Sequence, residues 1–224
     1  MNLTARTTET IPESVSRNGY LKMPEWMAYF LSPQSLIVMK EIRRTMKRQG
    51  RRAYSDITNK QLADRCGVSE QTINTTMNRL EGKSYIQRWT YHETETVKRR
   101  RLYLRNMKMK RDGKLKNRSF REVLKEEFFP SAARVEWSRI ATSDWLSWIP
   151  IPNTIKNGKD LKVYSILIGQ HLRGKRKIKL SDRQIAAISR MDRDVVAASM
   201  ERLAESGFIL VTKNNRRDRT IEFM

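Results

Sequence analysis

The chain has 224 residues, with 46 Lys and Arg against 24 Asp and Glu, a formal net charge of +22. Length allows one large domain or two small ones, and a hydrophobic fraction of 38%, though low, suffices for small cores and argues against wholesale disorder. A charge this lopsided makes a polyanion the expected partner. Cys66 is the only cysteine, so no intramolecular disulfide and no cysteine-rich zinc site can form. His92 and His171 leave little for metal binding, and neither a metal nor a cofactor is expected. The N-terminus MNLTARTTETIPESVSRNGY has no apolar signal region, and no stretch approaches ~18 apolar residues. The chain therefore reads as a soluble cytoplasmic protein without membrane contact, suited to a bacterial cell.

Residues 1–20 read as a flexible arm. Leu36, Met39, Ile42 and Met46 recur at helical spacing, predicting an amphipathic helix over 34–48 that ends at Gly50 and Arg51-Arg52. Thr58 is a candidate N-cap for a short helix over 59–65 that buries Leu62 and Ala63. Gly67 stops that helix, Val68 plugs the turn, and Ser69 caps a third helix with Ile73, Met77 and Leu80 on its inward stripe. Gly82 ends it, and strands over 85–91 and 97–104 follow. Residues 106–142 begin as a basic linker. Phe120 to Phe128 and Ala133 to Ile140 then suggest two helices, and Trp145 and Trp148 precede Pro150 and Pro152. These aromatics could stack bases, but they suit packing better. Beyond them come helices near 160–172, 182–189 and 193–205, then a hairpin over 208–212 and 219–223.

The chain repeats itself. Gln61-Leu62-Ala63 overlies Gln184-Ile185-Ala186, and without a gap Ile57 falls on Leu180, Ile73 on Val196 and Met77 on Met200. Arg79-Leu80 falls on Arg202-Leu203, and Tyr85-Ile86 on Phe208-Ile209. After a short slip in the basic loops around Arg51 and Lys175, Leu36 meets Leu161 and Ile42 meets Leu167. Chance alignment of amphipathic helices explains one helix pair. It does not explain three helices and a hairpin in one order.

The order of helix, helix-turn-helix and two-stranded hairpin resembles the winged-helix family. The run Gln61-Leu62-Ala63, Gly67-Val68-Ser69, Thr72-Ile73, Met77, Arg79-Leu80 and Tyr85-Ile86 carries that resemblance. It is similar to the helix-turn-helix of bacterial regulators and of replication proteins from mobile elements. The resemblance covers roughly 34–104 and, more weakly, 160–224, where Arg190-Met191 replaces the Gly-Val of the turn. It implies a mainly α fold with small β-hairpins (α+β): two winged-helix domains in tandem, at 21–105 and 143–224, joined by a basic, partly helical linker over 106–142.

In a winged helix the third helix enters the major groove. With Ile73, Met77 and Leu80 inward, its outward residues are Gln71, Thr72, Asn74, Thr75 and Asn78, the candidates for base readout. Asn and Gln can pair bidentately with adenine, and a threonine methyl packs on thymine. A merely solvated face would carry Glu and Lys four residues apart instead. The second copy offers Arg193 as its one attractive base contact, among Asp194, Ala197, Ala198 and Glu201. Backbone contacts are expected from Ser69, Arg51 and Arg52, and from Lys98, Arg99, Arg100 and Arg101 on the first wing. Further ones are expected from Lys175, Arg176 and Lys177, and from Lys213, Arg216 and Arg217 on the second wing.

Enzyme motifs fail. Gly169 and Gly174-Lys175 approach a phosphate-binding loop, but Arg176 stands where its hydroxyl residue belongs. No paired-histidine, His-x-Glu or Cys-x-x-Cys spacing exists. The expected function is therefore non-enzymatic, sequence-specific binding of double-stranded DNA. The resemblance points to a replication initiator of a plasmid or other mobile element acting at repeated origin sites, associated with the nucleoid or plasmid. The alternatives are a repressor of a mobile-element operon and a structured-RNA or architectural binder. Possible protein partners are a second copy and the replication or transcription machinery.

Overall fold

The computed structural model describes residues 11–13, 16, 19–49, 52–83, 85–95, 98–104, 148–213 and 219–224. They divide into two compact units. A central unit lies within Gln34–Thr142, and a composite unit is assembled from Met1–Pro33 and Ser143–Met224. No described helix is long and apolar enough to cross a membrane. The helices expected within 106–142 lie outside the described residues.

In chain order the elements are β1 (Tyr20–Pro24), α1 (Trp26–Phe30), α2 (Pro33–Arg44), β2 (Lys47–Gln49), β3 (Arg52–Tyr54), α3 (Asn59–Cys66), α4 (Glu70–Gly82), β4 (Ile86–His92) and β5 (Lys98–Leu104). They continue with β6 (Trp148–Pro152), α5 (Gly158–Leu172), α6 (Asp182–Ser189), α7 (Arg193–Glu205), β7 (Ile209–Lys213) and β8 (Arg219–Phe223). Short antiparallel sheets among helices make an α+β fold.

In the central unit α2 stops at Arg44, four residues before the expected end. The Thr45 hydroxyl donates to the Glu41 and Ile42 carbonyls at 3.1 and 3.0 Å and lies 2.7 Å from Ser55 Oγ. Those contacts close the last turn. Residues expected to be helical instead form β2, which pairs with β3 in the register Lys47↔Tyr54 and Arg48↔Ala53. Ser55 then bridges Leu102, exchanging bonds of 2.9 and 2.7 Å, and so brings the end of β3 against the β4–β5 hairpin. Thr58 and Gln61 form a reciprocal capping box on α3, satisfying two of its orphan amides. Gly67 ends that helix in the left-handed region at φ 65°. Ser69 accepts from the Thr72 amide to start α4. Ile73, Met77 and Leu80 are buried as the periodicity predicts, and Leu62, Ile86 and Leu102 are buried with them.

The composite unit reaches back to the N-terminus. β1 pairs antiparallel with β6, Tyr20 opposite Pro152 and Pro24 opposite Trp148. The expected first domain at 21–105 thus gives way to a division near residue 33, because 20–31 supply β1 and α1 to the other unit. Pro150 and Pro152 lack amide donors and suit a strand that pairs on one side only. Met23, Met27, Tyr29 and Leu31 are buried. Tyr29 donates to Glu25 Oε1 at 2.9 Å, Arg173 pairs with the same carboxylate, and Lys162 Nζ donates to the Leu31 carbonyl at 2.6 Å. Gly169 lies inside α5 where Glu25 leaves no room for a Cβ, so its role is close packing. With this cover α5 is buried on every face from Asp160 to Gln170.

In the remainder of the composite unit several local features of the central one recur, though β2 and β3 have no counterpart among its described strands. Ser181 and Gln184 form a capping box on α6, and Ile178 bridges Ile221 as Ser55 bridges Leu102. Arg190 occupies the left-handed position of Gly67, at φ 56° and ψ 44°. Asp192 takes the N-cap position of α7 without a side-chain bond, unlike Ser69.

Candidate nucleic-acid interface

The exposed face of α4 carries Gln71, Asn74, Thr75 and Asn78, with Thr72 half-buried and its hydroxyl 3.0 Å from Ser69 Oγ. Thr75 Oγ1 donates to the Gln71 carbonyl at 3.0 Å. Two hydrogen-bonded chains fix the asparagines. Arg100 donates to the Ile57 carbonyl at 3.1 Å and to Asn59 Oδ1, and Asn59 Nδ2 donates to Asn74 Oδ1. Glu81 accepts from the Arg88 amide at 3.2 Å and from its Nε at 2.6 Å, and Arg88 Nη2 donates to Asn78 Oδ1 at 2.8 Å. The hydrogen bond from Arg88 holds the Glu81 carboxyl below its usual range.

This wiring narrows the expected chemistry. With Oδ1 of Asn74 and Asn78 engaged inside the protein, each presents Nδ2 donors, which suit base acceptors such as guanine N7 or thymine O4. Bidentate pairing with adenine needs an amide with both ends open. On the exposed face of α4 Gln71 is such an amide, making no side-chain hydrogen bond. It borders an open depression with Gln34, Thr72, Thr75, Thr76 and Arg79.

The strand pleat splits the basic run on β5, which the sequence reading treated as one surface. Arg100 points to the core side and clamps the start of α3, and burial pushes its pKa below the usual guanidinium value. Arg99 is exposed and pairs with Glu93. Arg101 points the other way, 4.4 Å over the Tyr54 ring and 4.9 Å over that of Tyr91. The side chains of Arg52, Lys98 and Lys213 lie outside the described residues, as do Arg51, Arg216 and Arg217 altogether. In the composite unit Arg176 and Arg193 are exposed, Lys175 donates to Gln170 Oε1 at 2.8 Å, and Lys177 lies 3.8 Å from Glu222. On α7, Asp194 and Glu201 are exposed and Ala197 and Ala198 half-buried.

Sequence reasoning missed the supporting residues Asn59, Glu81 and Arg88. It also missed a clamp present in both units. Arg219 donates to the Leu180 carbonyl at 2.9 Å and pairs with Asp182 at 2.7 Å, as Arg100 does with Ile57 and Asn59. Leu180 and Asp182 fall on Ile57 and Asn59 in the helix alignment. The hairpins differ in length, so the two arginines do not align with them, and only geometry reveals the match.

Among the described residues no three His, Cys, Asp or Glu side chains converge on a metal site. Burial pushes the half-buried Cys66 thiol up to about 12, so it is not a reactive thiolate at neutral pH. No curated protein and no solved structure matches the chain. A family model described as winged helix-turn-helix DNA-binding matches residues 52–87, which run from β3 through α3 and α4 into β4. The chain therefore carries a winged helix-turn-helix DNA-binding domain at residues 52–87, and that domain implies double-stranded DNA as its partner.

Proposed function

We propose that the chain is a non-enzymatic, sequence-specific DNA binder of replication-initiator type, using two winged-helix units in tandem at repeated sites of a plasmid or other mobile element. The observation that carries the reading is the exposed amide-and-hydroxyl face of α4, wired from behind by Arg88 and Arg100 in a chain of net charge +22. Support for the tandem arrangement comes from the capping box, left-handed turn, bridge and arginine clamp that recur in the composite unit. Two units in one chain can engage adjacent major grooves, and the linker raises the local concentration of the second. If ~8 phosphates are neutralised, log K falls against log salt with a slope near −7.

One observation favours a second reading, a transcriptional regulator. Asp194 and Glu201 on α7 repel phosphate, so each chain offers one good reading helix and would reach a two-fold site as a dimer. Selection of bound duplexes from a random library at near-physiological salt separates the two. Directly repeated sites support the initiator, one palindrome supports the regulator, and no enriched motif overturns base reading by α4. A test for metal-dependent nicking of the selected duplex checks the non-enzymatic part.

A further inference from the structure

The outer face of the first wing carries an unexplained run of planar groups. Trp89 and Tyr91 stack with centroids 5.4 Å apart and planes at 23°. Arg101 bridges Tyr91 and Tyr54, and Tyr54 lies 6.3 Å from Tyr103. The pleat accounts for the arrangement. Ile86 and Leu102 turn to the core, while Trp89, Tyr91, Arg101 and Tyr103 turn away from it. Trp89 remains 50% exposed.

Packing does not require these groups. On the corresponding face of the second wing, Thr212 and Thr220 stand where the first has Trp89 and Arg101, and Leu210 and Glu222 where it has Gln87 and Tyr103, so among the described residues that face has no aromatic ring and no arginine. An equivalent hairpin therefore forms without them. Arg99 and Arg101 add positive charge to the first face, in register opposite Tyr91 and Trp89. Cations interleaved with exposed rings select a polyanion that also offers π faces. Duplex DNA does not offer them, because its base faces are stacked against one another. The Trp89 and Tyr91 ring centroids lie 5.4 Å apart. An unstacked single strand can open to that spacing, whereas duplex nucleotides rise ~3.4 Å per step along a strand.

We propose that the outer face of β4 and β5, through Trp89, Tyr91 and Arg101, binds single-stranded nucleic acid by stacking unpaired bases. This site is separate from the reading face of α4 and does not depend on it. The test uses the whole chain and a short dye-labelled oligothymidylate, followed by fluorescence anisotropy at near-physiological salt. Trp89→Ala and Tyr91→Ala should each weaken oligothymidylate binding by on the order of ten-fold. Trp89→Phe should retain most of it, and binding of a selected duplex should be unchanged in all three. Unchanged oligothymidylate affinity in both alanine variants overturns the proposal. So does an equal loss on duplex, which would make the face part of the duplex interface. A dimer seen by sedimentation and dissolved by Trp89→Ala, with no change in oligothymidylate binding, would make it a contact between copies and overturns it too. A chain that fails to select any duplex leaves this comparison intact, so the two readings fail separately.

Discussion

Replacing Arg100 by Ala removes the clamp behind the reading helix while leaving the wing's outer face in place. Arg100 bonds the Ile57 carbonyl at 3.1 Å and Asn59 Oδ1, just before and at the first residue of α3. Hydrogen bonds from a charged group contribute ~1.5–3 kcal/mol, and a buried carbonyl left without a partner loses a similar amount. Water reaches the half-exposed site and recovers part of this, so the expected loss is about 2–3 kcal/mol. That is a large share of the ~5–15 kcal/mol that holds a typical domain together. Arg99→Ala makes the contrast, since its exposed pair with Glu93 is worth ~0–1 kcal/mol. Hydrogen exchange at residues 59–66 should rise in the Arg100 variant and stay unchanged in the Arg99 variant. The salt dependence of duplex binding should reverse that order. Arg99→Ala flattens the slope by about 1, and Arg100→Ala leaves it alone because that guanidinium faces protein. Arg219→Ala should produce the same rise in exchange at the start of α6. Equal exchange in the Arg99 and Arg100 variants, or a flattened salt slope with Arg100→Ala, would refute the clamp.

Asn74→Ala and Thr75→Ala should each reduce discrimination between sites by ~1–3 kcal/mol while leaving most affinity for random duplex, as read by competition binding. Uniform loss on every sequence would show that these residues do not read bases. Arg190→Gly relieves a left-handed backbone that costs other residues ~1–2 kcal/mol, less the ~0.5–1 kcal/mol that glycine loses in chain entropy. The midpoint of denaturation should rise by the equivalent of about 0.5–1 kcal/mol, and a fall would contradict the strain. Burial lowers the Lys162 ammonium from 10.5 to about 8, with the Arg190 charge adding to the effect. The unfolded chain then binds the extra proton, so stability should increase as pH rises from about 8 towards 10. Lys162→Met should abolish that increase, and an unaltered pH profile would rule out Lys162 as its source.

What the sequence made legible was periodic and local. The stripe Ile73, Met77, Leu80 and the cap residues Thr58 and Ser69 each act within a few positions of themselves, so spacing alone exposes them. What it hid acts across long separations. Thr45 meets Ser55 and ends α2 early, and nothing in the pattern through Met46 announces that contact. Strand alternation was readable in principle. Trp89 and Tyr91 on one strand and Arg101 and Tyr103 on the other already define two faces. The run Lys98 to Arg101 reads as one charge cluster only when the pleat is ignored.

The N-terminal pairing was the least legible feature, because Tyr20–Pro24 and Trp148–Pro152 are short and separated by the whole central unit. Its consequence is testable by removing residues 1–32. Met23, Met27, Tyr29 and Leu31 are buried. Burying side chains of this kind contributes ~1.5–3 kcal/mol each before the entropy of ordering the segment. Their removal strips the cover from α5, leaves Lys162 without the Leu31 carbonyl, and leaves Arg173 without Glu25. A buried ammonium without an acceptor is destabilising in itself. The truncated chain should therefore lose hydrogen-exchange protection across 158–172. Amides of α3 and α4 should stay protected, because the capping residues Thr58, Gln61, Ser69 and Thr72 all lie within the central unit. Duplex binding should survive with a shallower salt slope if the composite unit contributes phosphate contacts. Full protection of α5 in the truncated chain would mean that β1 and α1 only decorate a unit already complete. The division of the chain near residue 33 would then mark where they happen to lie, not what the composite unit needs in order to fold.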